Sequence, residues 1–135
     1  MTSLTHIPVP DGVAAANGYS HVVIGTGRFV AIAGQIALDE NGELVGPGDP
    51  AAQAQQVFDN LGRCLAAAGA TFDDVVKLTF FVTDVGILPA VREARDAVID
   101  TGKSPASTAV QVASLVRPEL LLEVEAYAVL PSDAR

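Results

Sequence analysis

The chain has 135 residues, half of them hydrophobic, and its 8 basic against 16 acidic residues give a formal net charge of -8 at pH 7. This length and apolar fraction predict one domain over residues 1–135, with a core that needs neither disulfides nor metal. The charge argues against nucleic acid and anionic membranes as partners, because both repel an acidic surface.

The location of the protein is predicted from what the sequence lacks. The single cysteine, Cys64, cannot form a disulfide within the chain. No N-terminal run joins basic residues to an apolar segment as a signal peptide does, and no apolar run has the length that spans a bilayer. We therefore expect a cytoplasmic protein that does not associate with membranes.

The first third of the chain predicts an extended arm followed by a hairpin. Residues 1–17 contain prolines and no clear period, so they indicate an arm. Residues 18–24 and 29–36 are two strand-like runs joined by a Gly-Thr-Gly turn. Because a strand follows these glycines, and not a helix with further glycines, a turn is favoured over a dinucleotide-binding loop.

Residues 37–48 are polar and turn-rich, which predicts a surface loop before the most clearly marked element of the chain. Asp49 is a good N-cap, Pro50 suits the first helical position, and Gly69 provides a left-handed stop, so we predict a helix from Pro50 to Ala68. Cys64 falls on its apolar stripe and is expected to be a small core residue. No cluster of His, Cys or carboxylates has metal-ligand spacing, and we expect no metal or other cofactor.

The second half predicts a strand over 75–83, a helix over 88–99 and two mutually paired strands within 104–130. In the last strand one face is apolar, while the opposite face mixes aliphatic residues with Glu123, Glu125 and Tyr127. We interpret that mixed face as the wall of a site or a subunit contact. The inward residues predicted for the second helix are Leu88, Val91, Ala94 and Val98.

The predicted order of elements is strand, strand, helix, strand, helix, strand, strand. This order suits an α+β fold in which both helices pack on one face of a single sheet. The other face then keeps an apolar patch with Phe81, Leu121 and Val129, which is too large to leave in water. We therefore expect an oligomer with polar groups in its subunit clefts.

Several segments, none decisive alone, form a specific pattern through their order and spacing. They are Gly18-Tyr19, Ala33-Gly34-Gln35-Ile36, Ala51-Ala52-Gln53-Ala54 with Asp59-Asn60-Leu61, Ala67-Ala68-Gly69, Val76-Lys77 to Asp84, and Ser104-Pro105-Ala106 through Glu123-Val124-Glu125-Ala126. Together they resemble the Rid family, also called YjgF, over nearly the whole chain. The resemblance implies a chorismate-mutase-like α+β fold and a homotrimer with three ligand clefts between subunits.

The best-known Rid proteins hydrolyse imines or enamines to a 2-keto acid and ammonia without a cofactor. The resemblance implies that Glu123 positions and activates the hydrolytic water, and that Tyr19 and Gly34 line the cleft. Backbone groups near Ala109 would align the substrate. Without the resemblance, Glu123 and Glu125 have the pattern of a polar strand face.

The chain departs from the family where an arginine follows the Pro-Ala pair and holds the substrate carboxylate, because here that residue is Ser107. Arg92, on the second helix, is a candidate replacement, although a solvated face with Glu93, Arg95 and Asp96 in local pairs explains it more simply. We therefore expect imines derived from ordinary amino acids to be poor substrates. The sequence leaves two functions open, a cofactor-independent hydrolase of small imines, enamines or related carbonyl derivatives, and a non-catalytic trimer that binds a small molecule.

Overall fold

The structure is a computed structural model, and it describes residues 4–132. It contains six strands and two α-helices among these residues. They are β1 (Thr5–Ile7), β2 (Val22–Ile24), β3 (Arg28–Gln35), α1 (Pro50–Ala67), β4 (Val75–Val82), α2 (Leu88–Asp96), β5 (Ala106–Gln111) and β6 (Leu122–Leu130). Three short 3-10 turns, at 72–74, 85–87 and 101–103, precede β4, α2 and β5.

The main sheet has the strand order β3-β6-β4-β5. Strand β6 is antiparallel to both β3 and β4, whereas β4 and β5 are parallel. Alternate residues of β6 are buried, and both helices cover that face. The face that meets the helices is called the helix face below, and the opposite one the outer face. The predicted α+β arrangement, with two helices on one face of a sheet, is confirmed.

Helix α1 begins as its sequence predicts and ends at Ala67, one residue before the predicted end at Ala68. The Asp49 carboxylate accepts a hydrogen bond from the Ala52 backbone N–H at 3.1 Å, and Pro50 is the first helical residue. Gly69 has a φ of 78°, the left-handed conformation that stops a helix at low cost. Cys64 is half-buried and packs against the core, as expected for a residue on the apolar stripe.

The predicted hairpin between residues 18–24 and 29–36 is wrong. Strand β2 pairs with β1, which lies within the stretch predicted to be an arm, while β3 pairs with β6. The part of that arm over residues 1–3 lies outside the described residues. The hairpin was predicted because the two runs are close in sequence. Strand β3 pairs instead with β6, which is longer than β2. Ser20 joins the main sheet separately, through a bridge to Ala106.

The predicted pairing of the last two strands is also wrong, because β4 lies between β5 and β6. A parallel pair needs a long crossover, and α2 provides it between β4 and β5. The second helix is shorter than predicted and ends at Asp96, so Val98 is 42% exposed and Ile99 is buried in its place. The loop predicted at 37–48 is present, and a bridge between Leu38 and Leu44 closes it.

Gln53 ties this loop to the start of β6. Its side chain is fully buried, and its Nε2 donates to the carbonyls of Gly46 at 3.1 Å and Glu119 at 3.0 Å. Its Oε1 accepts from the Leu121 N–H at 2.9 Å. One amide therefore holds two chain segments against α1, and its neighbours depend on it for their hydrogen bonds.

We expect Gln53→Leu to lower the free energy of unfolding by about 2–4 kcal/mol. The leucine cannot form the hydrogen bonds that Gln53 makes to the Gly46 and Glu119 carbonyls and to the Leu121 N–H, so these buried backbone groups lose a partner. Urea unfolding at matched protein concentration measures this loss. The control is Gln55→Leu on the same helix, whose side chain is exposed and whose expected change is below about 0.5 kcal/mol. A loss no larger in Gln53→Leu than in the control would contradict the role given to this amide.

Candidate functional site

A cavity of about 330 Å³ lies between α2, the edge strand β5 and the segment that precedes β2. Four of the six residues predicted for the site line it together. They are Tyr19, Arg92, Ser107 and Ala109. This cavity is called the Tyr19 pocket below. Its other polar lining residues are Asn17, Arg95 and Thr108, none of which was predicted as a site residue.

The parallel pairing of β5 with β4 positions two of these residues. Ser107 lies beside Leu78, and Ala109 lies beside Phe80, and both of these β4 residues are buried on the helix face. Because neighbours across a sheet point to the same side, Ser107 and Ala109 face α2. As β5 is an edge strand, part of its backbone is left unused by the sheet.

Hydrogen bonds around Ser20 bring Tyr19 to the same place. The Ser20 N–H donates to the Pro105 carbonyl at 3.1 Å, and its hydroxyl donates to the Ser104 carbonyl at 2.6 Å. The Tyr19 ring contacts the His21 ring edge-on, with centroids 5.4 Å apart. His21 Nε2 is 2.8 Å from the Ala14 carbonyl oxygen, so this histidine has a structural partner.

Helix α2 contributes two arginines to the pocket. Arg92 is exposed at its rim, whereas Arg95 is only 8% exposed. Arg95 makes the predicted local pair with Asp96, with Nε 2.9 Å from Oδ1, but the prediction of a solvated face is wrong for it. The sequence contains a signal for this burial, because Arg95 lies seven residues after Leu88 and four after Val91, on the apolar stripe of the helix.

Glu123 and Gly34, the other two predicted residues, form a second cluster. Glu123 is half-buried on the outer face beside Phe81, and among the described residues its carboxylate has no hydrogen-bond donor. A β-carbon at residue 34 would overlap Glu123 Oε2 and lie 2.7 Å from its Cγ and Cδ. A side chain at this position would therefore force the Glu123 side chain out of its present conformation.

Within one chain these two clusters are separate. Ser107 and Ala109 are on the helix face, and Glu123 is on the outer face, two strands away, or roughly 10 Å across the sheet. Gly34 also lines a cavity of about 560 Å³ with Asp39, Asp59 and Arg63. Residues 4–132 contain no group of three or more His, Cys, Asp or Glu that could hold a metal ion.

The chemistry available to these groups is limited and specific. The Tyr19 pocket provides two guanidinium groups, hydroxyls and edge-strand backbone, which suit recognition of a small polar anion. Glu123 provides a carboxylate with no hydrogen-bond donor among residues 4–132, which suits proton transfer to or from water.

In the part of the chain that is described, no helix is long and apolar enough to cross a bilayer.

Comparison with known proteins places these clusters in a family context. The family model described as endoribonuclease L-PSP matches residues 10–130. A RutC family protein of Synechocystis is 37% identical over 127 residues, which are 93% of this chain and 96% of the relative. The 2-iminobutanoate/2-iminopropanoate deaminase of Rattus norvegicus is 39% identical over 117 residues, which are 86% of this chain and 82% of the relative.

Two solved structures named as Rid or YjgF family members resemble this fold. A Rid family protein of unknown function from Yersinia pestis, YyfB, has a TM-score of 0.79 and 41% identity. The alignment covers 92% of this chain and 97% of that one. A YjgF/YER057c/UK114 family member of Mycobacterium tuberculosis, with 31% identity, gives a TM-score of 0.65 over 95% of this chain and 100% of its own. The fold is therefore the chorismate-mutase-like α+β fold that the sequence predicted.

Proposed function

The chain belongs to the Rid/YjgF family, and from this premise we propose that it is a cofactor-independent hydrolase of small imines or enamines. The observation that carries the proposal is the Glu123 carboxylate, half-buried against Gly34 with no hydrogen-bond donor in the described chain. Relatives named 2-iminobutanoate/2-iminopropanoate deaminase support the reaction class.

Glu123 is the catalytic base in this proposal. Its carboxylate accepts a proton from a water molecule as the water oxygen bonds to the imine carbon, and the C=N electron pair moves to nitrogen. Glu123 returns this proton to the nitrogen, which gives a carbinolamine. The carboxylate then takes the hydroxyl proton and passes it to the amine nitrogen, the C–N bond breaks to release ammonia, and the electron pair left on oxygen forms the C=O bond of the product. An enamine enters the same route after protonation at carbon gives the imine. General acid–base catalysis of this kind accelerates a reaction by about 10²- to 10⁴-fold.

The reaction site is proposed to lie between two subunits of a homotrimer. Glu123 and the Tyr19 pocket lie on opposite faces of one sheet, so a substrate that needs both must use two chains. The outer face gives a reason for assembly, because it carries Phe29, which is 67% exposed and stacks on Tyr127 with ring centroids 5.5 Å apart. A neighbouring subunit covering this face would bury these rings.

In this arrangement one subunit supplies Glu123 and Gly34, and its neighbour supplies Tyr19, Arg92, Ser107 and Ala109. Tyr19 closes one wall of the pocket, and the backbone around Ala109 aligns the reacting carbon. The Ser107 hydroxyl is a hydrogen-bonding wall residue, since no base near it in the described chain would activate it as a nucleophile.

The description of the family model names a ribonuclease activity. The net charge of -8 disfavours this activity, because RNA is a polyanion.

The second candidate is a non-catalytic trimer that binds a small molecule in the same cleft. Ser107, at the position where the family resemblance implies an arginine, is the residue that favours it.

Hydrolysis of 2-iminopropionate and 2-iminobutyrate, generated in the assay by an amino acid oxidase, separates the two candidates. We expect the purified protein to accelerate hydrolysis above the spontaneous rate in proportion to its concentration. No acceleration, together with binding of the corresponding keto acids, would favour the non-catalytic trimer. A scattering measurement of the same preparation is expected to give the mass of three chains.

A further inference from the structure

Arg95 is a buried guanidinium that faces a cavity. Its side chain is 10% exposed, and the residue lines the Tyr19 pocket, as Ser107 does. A buried arginine is retained only where its charge is compensated, and Asp96 compensates part of it. Asp96 is itself 45% exposed and does not line the pocket, so solvent weakens that compensation inside the cavity.

The two ends of this guanidinium differ in their hydrogen bonds within the described chain. Asp96 Oδ1 is bonded to Nε at 2.9 Å, and neither Nη group donates a hydrogen bond to any residue from 4 to 132. The Nη end lies against Gly18, where a β-carbon would be 2.9 Å from Nη2 and 3.7 Å from Nη1. Two parallel N–H donors therefore remain for a planar anion such as a carboxylate.

The charges of the pocket point to the same ligand. Its lining includes two arginines, Arg92 and Arg95, and no aspartate or glutamate, although the chain has twice as many acidic as basic residues. A small cavity lined by cations in an acidic protein attracts and retains anions. An anion held there would share the pocket with Ser107, the residue at the position where the family resemblance implies an arginine.

We infer that Arg95 holds the carboxylate of the substrate and so determines specificity, with Arg92 at the rim adding to the positive field. This inference rests on the proposed function and specifies its substrate class as 2-imino acids. It reverses the expectation that amino-acid-derived imines are poor substrates, because the lost guanidinium on β5 is replaced by one from α2.

Equilibrium binding of 2-oxobutanoate, the keto acid formed from 2-iminobutyrate, tests the inference by calorimetry on the full chain. Arg95→Gln is expected to weaken binding by about 10- to 100-fold, because it removes a charged pair of hydrogen bonds. The matched control is Arg117→Gln, which removes an arginine paired with Glu119 outside the pocket and should change the affinity by less than about twofold.

Two further measurements keep the test decisive if Arg95→Gln does not fold. Arg95→Lys keeps the charge and the aliphatic stem but loses the planar fork, so binding should weaken by at least about threefold. The wild type should bind the neutral 2-oxobutanamide at least about 10-fold more weakly than 2-oxobutanoate.

The inference is overturned if a folded Arg95 variant binds 2-oxobutanoate as tightly as the wild type, or if the wild type does not bind it. Imine hydrolysis by the same samples distinguishes this failure from failure of the proposed function. Hydrolysis by Arg95→Gln with an unchanged KM contradicts the inference alone. Arg95-dependent binding by a wild type that does not hydrolyse imines contradicts the proposed function alone.

Discussion

Replacing Glu123 with glutamine is expected to reduce imine hydrolysis by about 10²- to 10⁴-fold, because the amide cannot accept the proton of the attacking water. The fold should survive, since the side chain is half-buried on the outer face and makes no hydrogen bond with residues 4–132. The change appears in kcat for 2-iminobutyrate, while the affinity for 2-oxobutanoate should change little.

Glu125→Gln is the matched control for this variant. Glu125 lies two residues along the same strand and on the same face, beside Thr79, so its substitution removes the same charge from the same surface. We expect its kcat to remain within about twofold of the wild type. Equal losses in the two variants would mean that a general charge effect, and not proton transfer by Glu123, is responsible.

Replacing Phe29 with glutamate is expected to convert the proposed trimer to single chains and to abolish the proposed hydrolysis with it. Phe29 is the most exposed aromatic side chain of the described residues and stacks on Tyr127. A charge at this position would be buried without a partner at every subunit contact, at a cost of about 3–5 kcal/mol for each. Sedimentation velocity at micromolar concentration measures the assembly, and the imine assay measures the activity.

Val116→Glu is the control, because Val116 is a large apolar residue that is 77% exposed in the loop before β6. The Val116→Glu protein should remain trimeric and active, since a charge added to a solvated loop stays hydrated. A Phe29→Glu protein that stays trimeric would show that the neighbour does not cover this part of the outer face. A protein that dissociates but keeps full activity would place the whole site within one chain.

The elements of this fold were predictable where local chemistry determines them. The alternation of Leu122, Val124, Ala126 and Ala128 predicted an apolar face of β6, which the structure buries, and Asp49 with Pro50 predicted the start of α1. Both patterns depend on neighbours within one turn or one strand, which is the range over which a sequence can be interpreted directly.

Strand order could not be predicted in the same way, because pairing is decided by contacts that are distant in sequence. Strands β5 and β6 are consecutive in the chain, yet β4 separates them, since the crossover through α2 makes β5 parallel to β4. Strand β2 similarly pairs with β1 and leaves β3 for β6. Each error came from assuming that consecutive strands pair.

The candidate site was also predictable only in part. The family resemblance selected Tyr19, Arg92, Ser107 and Ala109, which the fold brings into one pocket, and Gly34 with Glu123, which it brings into contact elsewhere. Arg95 was missed because an arginine with acidic neighbours was assigned to the solvated face of α2. Its position on the apolar stripe was the better guide, since the depth of a side chain follows helical spacing more closely than its charge.

The central claim is that each active site combines Glu123 of one subunit with the Tyr19 pocket of its neighbour, and mixing two inactive variants tests it most directly. Glu123→Gln keeps an open pocket but lacks the base, and Ala109→Phe keeps the base but fills the pocket. Subunits of the two are exchanged at equal concentrations, and mass analysis confirms mixed trimers. If subunits share sites around a closed ring, one contact in four combines the intact halves, so activity should return to about a quarter of the wild-type value. Mixed trimers with no more activity than the two parents would contradict a shared site.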